Sequence, residues 1–231
     1  MIRNKYLFAF LGLLSAIMFL VLNNHVSLLY RIILKVMPTV LMCLWLILHK
    51  VKKTNIYILM GIFFSMLCDI FMAFPDNRFI TFGIAANLIV LYFYIRFFLQ
   101  ITKRLGLIES LLGLIIFGVS YIILFKYLGN LIIPVLIYSF AYVLLLWRAT
   151  VVFFEKEINK SLKNLCFFGS LFLAVSDILL SIIIFNVFPY QEKYYYIVMV
   201  FWWAGLYLIM LSAKYIESQS RITQDTVSIL S

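Results

Sequence analysis

The chain has 231 residues, 66% of them hydrophobic and 12% charged, and a formal net charge of +10. That balance excludes an ordinary soluble domain and points to a chain embedded in a bilayer. Its cations flank apolar runs instead of forming one basic surface, so the charge does not point to nucleic acid.

A hydrocarbon core of roughly 30 Å takes about 20 mostly apolar residues per helical crossing. Eight runs fit that ruler: Leu7–Leu22, Val26–His49, Thr54–Phe74, Phe79–Leu99, Leu107–Phe125, Gly129–Thr150, Leu165–Asn186 and Tyr194–Lys214. The expected fold is therefore all-α, a polytopic membrane protein with eight transmembrane helices in one bundle and a single domain over 1–231. The first run follows Arg3 and Lys5 as a signal peptide would, but no small-x-small cleavage site precedes the second run. The polar connection from Arg148 to Asn164, RATVVFFEKEINKSLKN, is too short for a core of its own. The tail after Lys214 is expected to fray, leaving 217–231 as a short cytoplasmic end.

Most Lys and Arg residues lie in one set of alternate loops and their flanks, from Arg3 and Lys5 through Lys50–Lys53, Lys103, Arg104, Arg148 and Lys156–Lys163 to Lys214 and Arg221. The other side holds Arg78, Lys126 and Lys193, with Arg31 and Lys35 early in the second helix. This bias places both termini in the cytoplasm, with the plasma or cytoplasmic membrane as the expected location. Cys43, Cys68 and Cys166 fall in or beside apolar runs and imply neither a disulfide framework nor a zinc site.

Two apolar stretches carry an aspartate each: GIFFSMLCDIFMAF (Gly61–Phe74) and GSLFLAVSDILLSI (Gly169–Ile182). Aligned without a gap, they match Gly61 with Gly169, Phe64 with Phe172, Asp69 with Asp177 and Ile70 with Ile178. Pro38 has a looser counterpart in Pro134. The chain thus reads as two four-helix halves, 1–104 and 105–216, arranged as parallel repeats. The plain alternative is that Gly, Phe and Ile coincide easily in apolar segments.

Asp69 falls late in the third run, Asp177 past the middle of the seventh, and Lys35 roughly 13 Å from the outer end of the second at 1.5 Å per residue. A charge facing lipid there costs about 3 kcal/mol on insertion scales, so these groups are expected to face the bundle interior, a wet cavity or one another. Two carboxylates brought together in a low dielectric share a proton and supply an acid and a base at once. The structural alternative is that each carboxyl bonds a hydroxyl such as Ser65 or Ser176 and only ties helices together. Lys35 reads as a buried counter-ion or a snorkelling cation. Pro38, one turn on, should loosen the helix and free a backbone carbonyl. Asn87, Tyr92, Tyr94, Tyr138 and Ser181 are weaker candidates, since such residues in membrane helices commonly serve packing. His25 and His49 lie near opposite ends of the second run and cannot form one metal site. With no G-x-S-x-G, H-E-x-x-H or phosphate loop, no metal or cofactor is implied.

LKVMP (Leu34–Pro38), GIFFSMLCDIFM (Gly61–Met72) and GSLFLAVSDILLSIIIF (Gly169–Phe185) resemble, in that order, the YhhN-like family of lysoplasmalogenases. The family's patterns there are approximately Lys-x-x-Pro, G-x-x-F-S-x-x-G-D and F-x-x-S-D. PVLIY (Pro134–Tyr138) resembles its sixth helix, and the likeness spans Leu34 to Leu211. The resemblance implies an integral membrane enzyme that hydrolyses the vinyl-ether bond of lysoplasmalogens to a fatty aldehyde and a glycerophospho head group. Asp69 and Asp177 would be its catalytic carboxylates and Lys35 its motif lysine. Lys35, Ser65, Ser176, Asn87, Tyr94 and Tyr138 are then candidates to contact a lysophospholipid substrate. Three departures touch specificity: Cys68 replaces a glycine, Leu91 stands where a histidine is expected, and Gly205 where a glutamine is typical. Two other functions fit the same residues. One is a proton-coupled transporter using the aspartates, and the other an inactive lipid-binding bundle.

Overall fold

The computed structural model describes residues 3–23, 25–48, 56–74, 77–188 and 192–230. Among them are eight α-helices: α1 (Arg3–Leu22), α2 (Leu28–Leu48), α3 (Ile56–Phe71), α4 (Asn77–Ile101), α5 (Ser110–Leu124), α6 (Ile132–Phe154), α7 (Lys160–Ile184) and α8 (Glu192–Leu230). His49, Lys50, Lys52, Lys53 and Thr54 lie outside the described residues. Among the described residues, six helices are long and apolar enough to cross a membrane, and Phe10–Leu22 and Ile56–Phe71 are shorter apolar helices. The described residues are thus all-α, with six to eight apolar helices able to span a membrane, as an integral membrane protein requires. α3 has 16 residues, about 24 Å at 1.5 Å per residue, short of a full hydrocarbon core.

In two places helices run past the apolar spans read from the sequence. The polar connection from Arg148 to Asn164 is mostly helical, because α6 runs to Phe154 and α7 starts at Lys160. α7 starts there because Asn159 caps it, its Oδ1 accepting from the Ser161 amide at 2.8 Å. The tail after Lys214 continues as helix to Leu230.

The chain divides into two compact units, Met1–Tyr94 and Ile95–Ser231, with the boundary inside α4. In the first, α2 packs against α1 and α3. Pro38 lies inside α2 and has no N–H for the Leu34 carbonyl four residues back. Ser15 of α1 repairs that gap, its Oγ donating to Leu34 O at 3.1 Å. A proline is tolerated in a membrane helix where a neighbour re-satisfies the backbone in this way. α4 meets α3 through aromatic rings, with Phe64 stacked on Phe93 at 5.7 Å and Phe74 on Phe79 at 4.6 Å. The Tyr94 ring lies so close over Gly61 that a Cβ there would overlap it.

In the second unit, α5 packs on α6, α6 on α7 and α7 on α8. α7 and α8 pack tightly at Gly169 and Gly205, where a Cβ on Gly205 would stand 2.9 Å from Gly169 O. Small residues permit such backbone approach between membrane helices. Arg148, placed by sequence among the loop cations, is buried at 2% exposure. Its guanidinium donates to Arg104 O at 2.6 Å and to Thr102 O, while Trp147 Nε1 donates to Gly106 O at 2.8 Å. The chain leaving α4 exposes carbonyls that no helix satisfies, and a fork of five N–H donors suits them. The left-handed φ of Gly106, +50°, lets the connection turn between these anchors.

Candidate functional site

In the first unit, the buried residues of α2 include Lys35, Thr39, Met42 and Leu46, spaced three or four apart on one face. Those of α3 include Ile58, Ile62, Ser65 and Asp69 at the same spacing. The α2 and α3 faces bring Lys35 Nζ to 3.7 Å from Asp69 Oδ1, with both side chains almost wholly buried. The distance is that of an ion pair, longer than a good hydrogen bond. Burial of one such charge alone would be strongly unfavourable, and the pairing offsets it. Lys35 is therefore buried rather than snorkelling. Asn87 and Tyr94, both on α4, are also buried in this unit, and Tyr94 Oη has no hydrogen-bond partner among the described residues.

The second unit builds its site around Asp177, 4% exposed on α7. Tyr138 and Tyr142 stand one turn apart on α6 and present both phenols to the same carboxylate oxygen. Tyr138 Oη donates to Asp177 Oδ2 at 2.6 Å, and Tyr142 Oη donates to that atom as well. The tyrosine rings meet edge to face at 5.3 Å, and Phe117 of α5 stacks on Tyr142 at 4.9 Å. An ionised carboxylate only accepts hydrogen bonds, so two O–H donors converging on Oδ2 suit the charged form. Ser181 Oγ donates to Asp177 O at 2.7 Å. A cavity of about 20 Å³ adjoins the carboxylate, with Ser120, Tyr138, Ser139, Asp177 and Ser181 as its polar lining.

The sequence candidates thus fall into two groups. Lys35, Ser65, Asp69, Asn87 and Tyr94 belong to the first unit, and Tyr138, Ser176 and Asp177 to the second. Ser65 and Ser176, offered as hydroxyl partners of the carboxyls, donate instead to backbone: Ser65 Oγ to Gly61 O at 2.9 Å and Ser176 Oγ to Val198 O at 3.0 Å. Tyr92 is exposed. Tyr142 was not singled out by sequence, although its four-residue spacing from Tyr138 was a usable signal. Ser120 and Ser139 gave no such signal, because their place beside Asp177 depends on how α5, α6 and α7 meet. Of the three departures, Leu91 is wholly buried, Cys68 is buried beside Asp69, and Gly205 makes the close crossing with Gly169.

One relationship recurs within each unit. The carboxylate on α3 is met by a side chain of α2, and the carboxylate on α7 by side chains of α6. No curated protein and no solved structure matches the chain. The sequence profile of the YhhN family matches residues 30–213, a span that holds Lys35, Asp69, Tyr138, Tyr142 and Asp177, and the chain belongs to that family.

Proposed function

We propose that the protein is an intramembrane hydrolase that cleaves the vinyl-ether bond of lysoplasmalogen-type lysophospholipids, with Asp69 and Asp177 as its acid and base groups. The observation that carries this reading is the buried Asp177 carboxylate, held by two phenol donors in a largely apolar stretch of α7 and adjoining a small polar cavity. Membership of the YhhN family supports it. An intramembrane ionisable residue is a functional candidate by default.

The chemistry asks for one proton donor and one proton acceptor. Protonation of the vinyl β-carbon leaves an oxocarbenium ion, and a water adds to its electrophilic carbon while losing a proton to a carboxylate. The resulting hemiacetal collapses to the aldehyde and the free glycerol hydroxyl, so one water is consumed for each bond broken. Asp177, already serving as an acceptor, is the base. The Lys35–Asp69 pair, which holds one proton between an amine and a carboxylate, supplies the donor step and regains that proton from water. Tyr94 and Asn87 are the polar groups of the first unit offered to the substrate. The positive-inside bias supports a cytoplasmic location for both termini.

The test is to incubate detergent-purified wild type, Asp69→Asn and Asp177→Asn with lysoplasmalogen and, separately, with its ester-linked analogue. Aldehyde from the vinyl ether alone, lost in both folded variants, is the expected result. Intact lysoplasmalogen after incubation with folded wild type would overturn the reading. Proton-dependent uptake by that same protein would put a transporter in its place.

A further inference from the structure

The cavity beside Asp177 is formed by three helices, with Ser120 on α5, Tyr138 and Ser139 on α6, and Asp177 and Ser181 on α7. Its volume, about 20 Å³, exceeds the roughly 10–15 Å³ that one water needs by the same measure, and its lining offers more than the two to four polar partners such a water requires. The hydrogens of most of these hydroxyls are already committed. Ser120 Oγ donates to Ile116 O at 2.7 Å, Ser181 Oγ to Asp177 O at 2.7 Å, and Tyr138 Oη to Asp177 Oδ2 at 2.6 Å. Each therefore turns only acceptor capacity toward the cavity, as the carboxylate does. Ser139, nine-tenths buried, is the remaining hydroxyl of the lining.

We propose that this cavity binds one ordered water, which gives its hydrogens to Asp177 and a neighbouring hydroxyl oxygen and receives at its own oxygen the hydrogen bond of Ser139. Ser139 is thus a positioning residue, acting through the water. The acceptor-rich wall directs an O–H bond at the carboxylate, the orientation in which Asp177 removes a proton as the oxygen bonds to an electrophilic carbon. The catalytic use of this water rests on the hydrolase reading above, whereas its presence does not.

The experiment is infrared spectroscopy of the full chain in phosphatidylcholine bilayers, comparing ordinary water with ¹⁸O-labelled water, on wild type, Ser139→Val and Ser139→Thr. Val and Thr have nearly the same shape, so their difference reads the hydroxyl alone. The expected result is a narrow, low-frequency O–H stretch that shifts with ¹⁸O in wild type, is lost in Ser139→Val and is kept in Ser139→Thr. With lysoplasmalogen, kcat should fall roughly tenfold or more in Ser139→Val at nearly constant KM, the loss of about one hydrogen bond to the reacting group, and recover in Ser139→Thr. Should Ser139→Val fail to fold, Ser120→Ala, which removes one acceptor, is expected to move the band to a different frequency. A folded wild type without the band, or a band unchanged in Ser139→Val or, in its stead, Ser120→Ala, overturns the water site. A band that behaves as expected in a protein that hydrolyses nothing would leave the water site standing and remove the hydrolase reading.

Discussion

Ser15 of α1 donates a hydrogen bond at 3.1 Å to the carbonyl of Leu34, the α2 acceptor that Pro38 leaves without its helical N–H. One helix thereby repairs a break in another, where lipid offers no substitute partner. Ser15→Ala should lower stability by about 1 kcal/mol. In a Pro38→Ala background, where the helical N–H returns, the same change should have little effect. Thermal melts of the four proteins in detergent check this, and equal losses in both backgrounds would refute the repair.

The Lys35–Asp69 pair behaves differently under single and double substitution. Lys35→Met strands a buried carboxylate and Asp69→Asn a buried ammonium, and breaking a buried pair from one side costs about 3–5 kcal/mol. Removing both charges should destabilise less than the sum of the two single changes. A double-mutant cycle by chemical denaturation measures the difference, and simple additivity would show that the two groups do not interact.

Tyr138 and Tyr142 donate to one oxygen of Asp177. Each phenol fixes the position of that carboxylate, so Tyr138→Phe and Tyr142→Phe should each lower kcat for lysoplasmalogen by roughly 10- to 100-fold. Because the two donors share an acceptor, the double variant should depart from the product of the single effects. Steady-state aldehyde release measures all three.

The glycines divide by what surrounds them. Gly61→Ala drives a methyl into the Tyr94 ring, and Gly205→Ala places one 2.9 Å from Gly169 O, so both should destabilise by about 1–3 kcal/mol. Gly118 in α5 has nothing within 4 Å of its Cβ position, and Gly118→Ala should be neutral or slightly stabilising. Gly205→Gln, a larger side chain at the same crossing, should be worse than Gly205→Ala in this chain. Melting temperatures rank the four.

Arg148 straps the connection after α4 through Thr102 O and Arg104 O. Lysine has one donor centre where arginine has a planar fork, so Arg148→Lys should keep the charge and lose the geometry. The exposed Lys103 and Arg104 should then be cut faster by trypsin, while wild type resists. Equal cleavage rates would show that the strap does not hold this segment.

The membrane helices and the three ionisable residues Lys35, Asp69 and Asp177 were legible in the sequence. Apolar length alone sets a crossing, and a charge inside an apolar run is anomalous wherever the helix packs. The resemblance around Lys35, Asp69 and Asp177 was legible for the same reason, since it depends on residue order along the chain. Helix ends were less legible: α7 began at Lys160 because Asn159 caps it, a local hydrogen bond that hydropathy does not weigh. Only the tertiary structure decided the partners. It gave Asp177 the phenols of Tyr138 and Tyr142, took Arg148 out of the loops and set Gly205 against Gly169. Hydropathy averages over a helix and is nearly blind to its rotation, whereas a hydrogen bond forms or fails within a few tenths of an ångström between residues far apart in the chain.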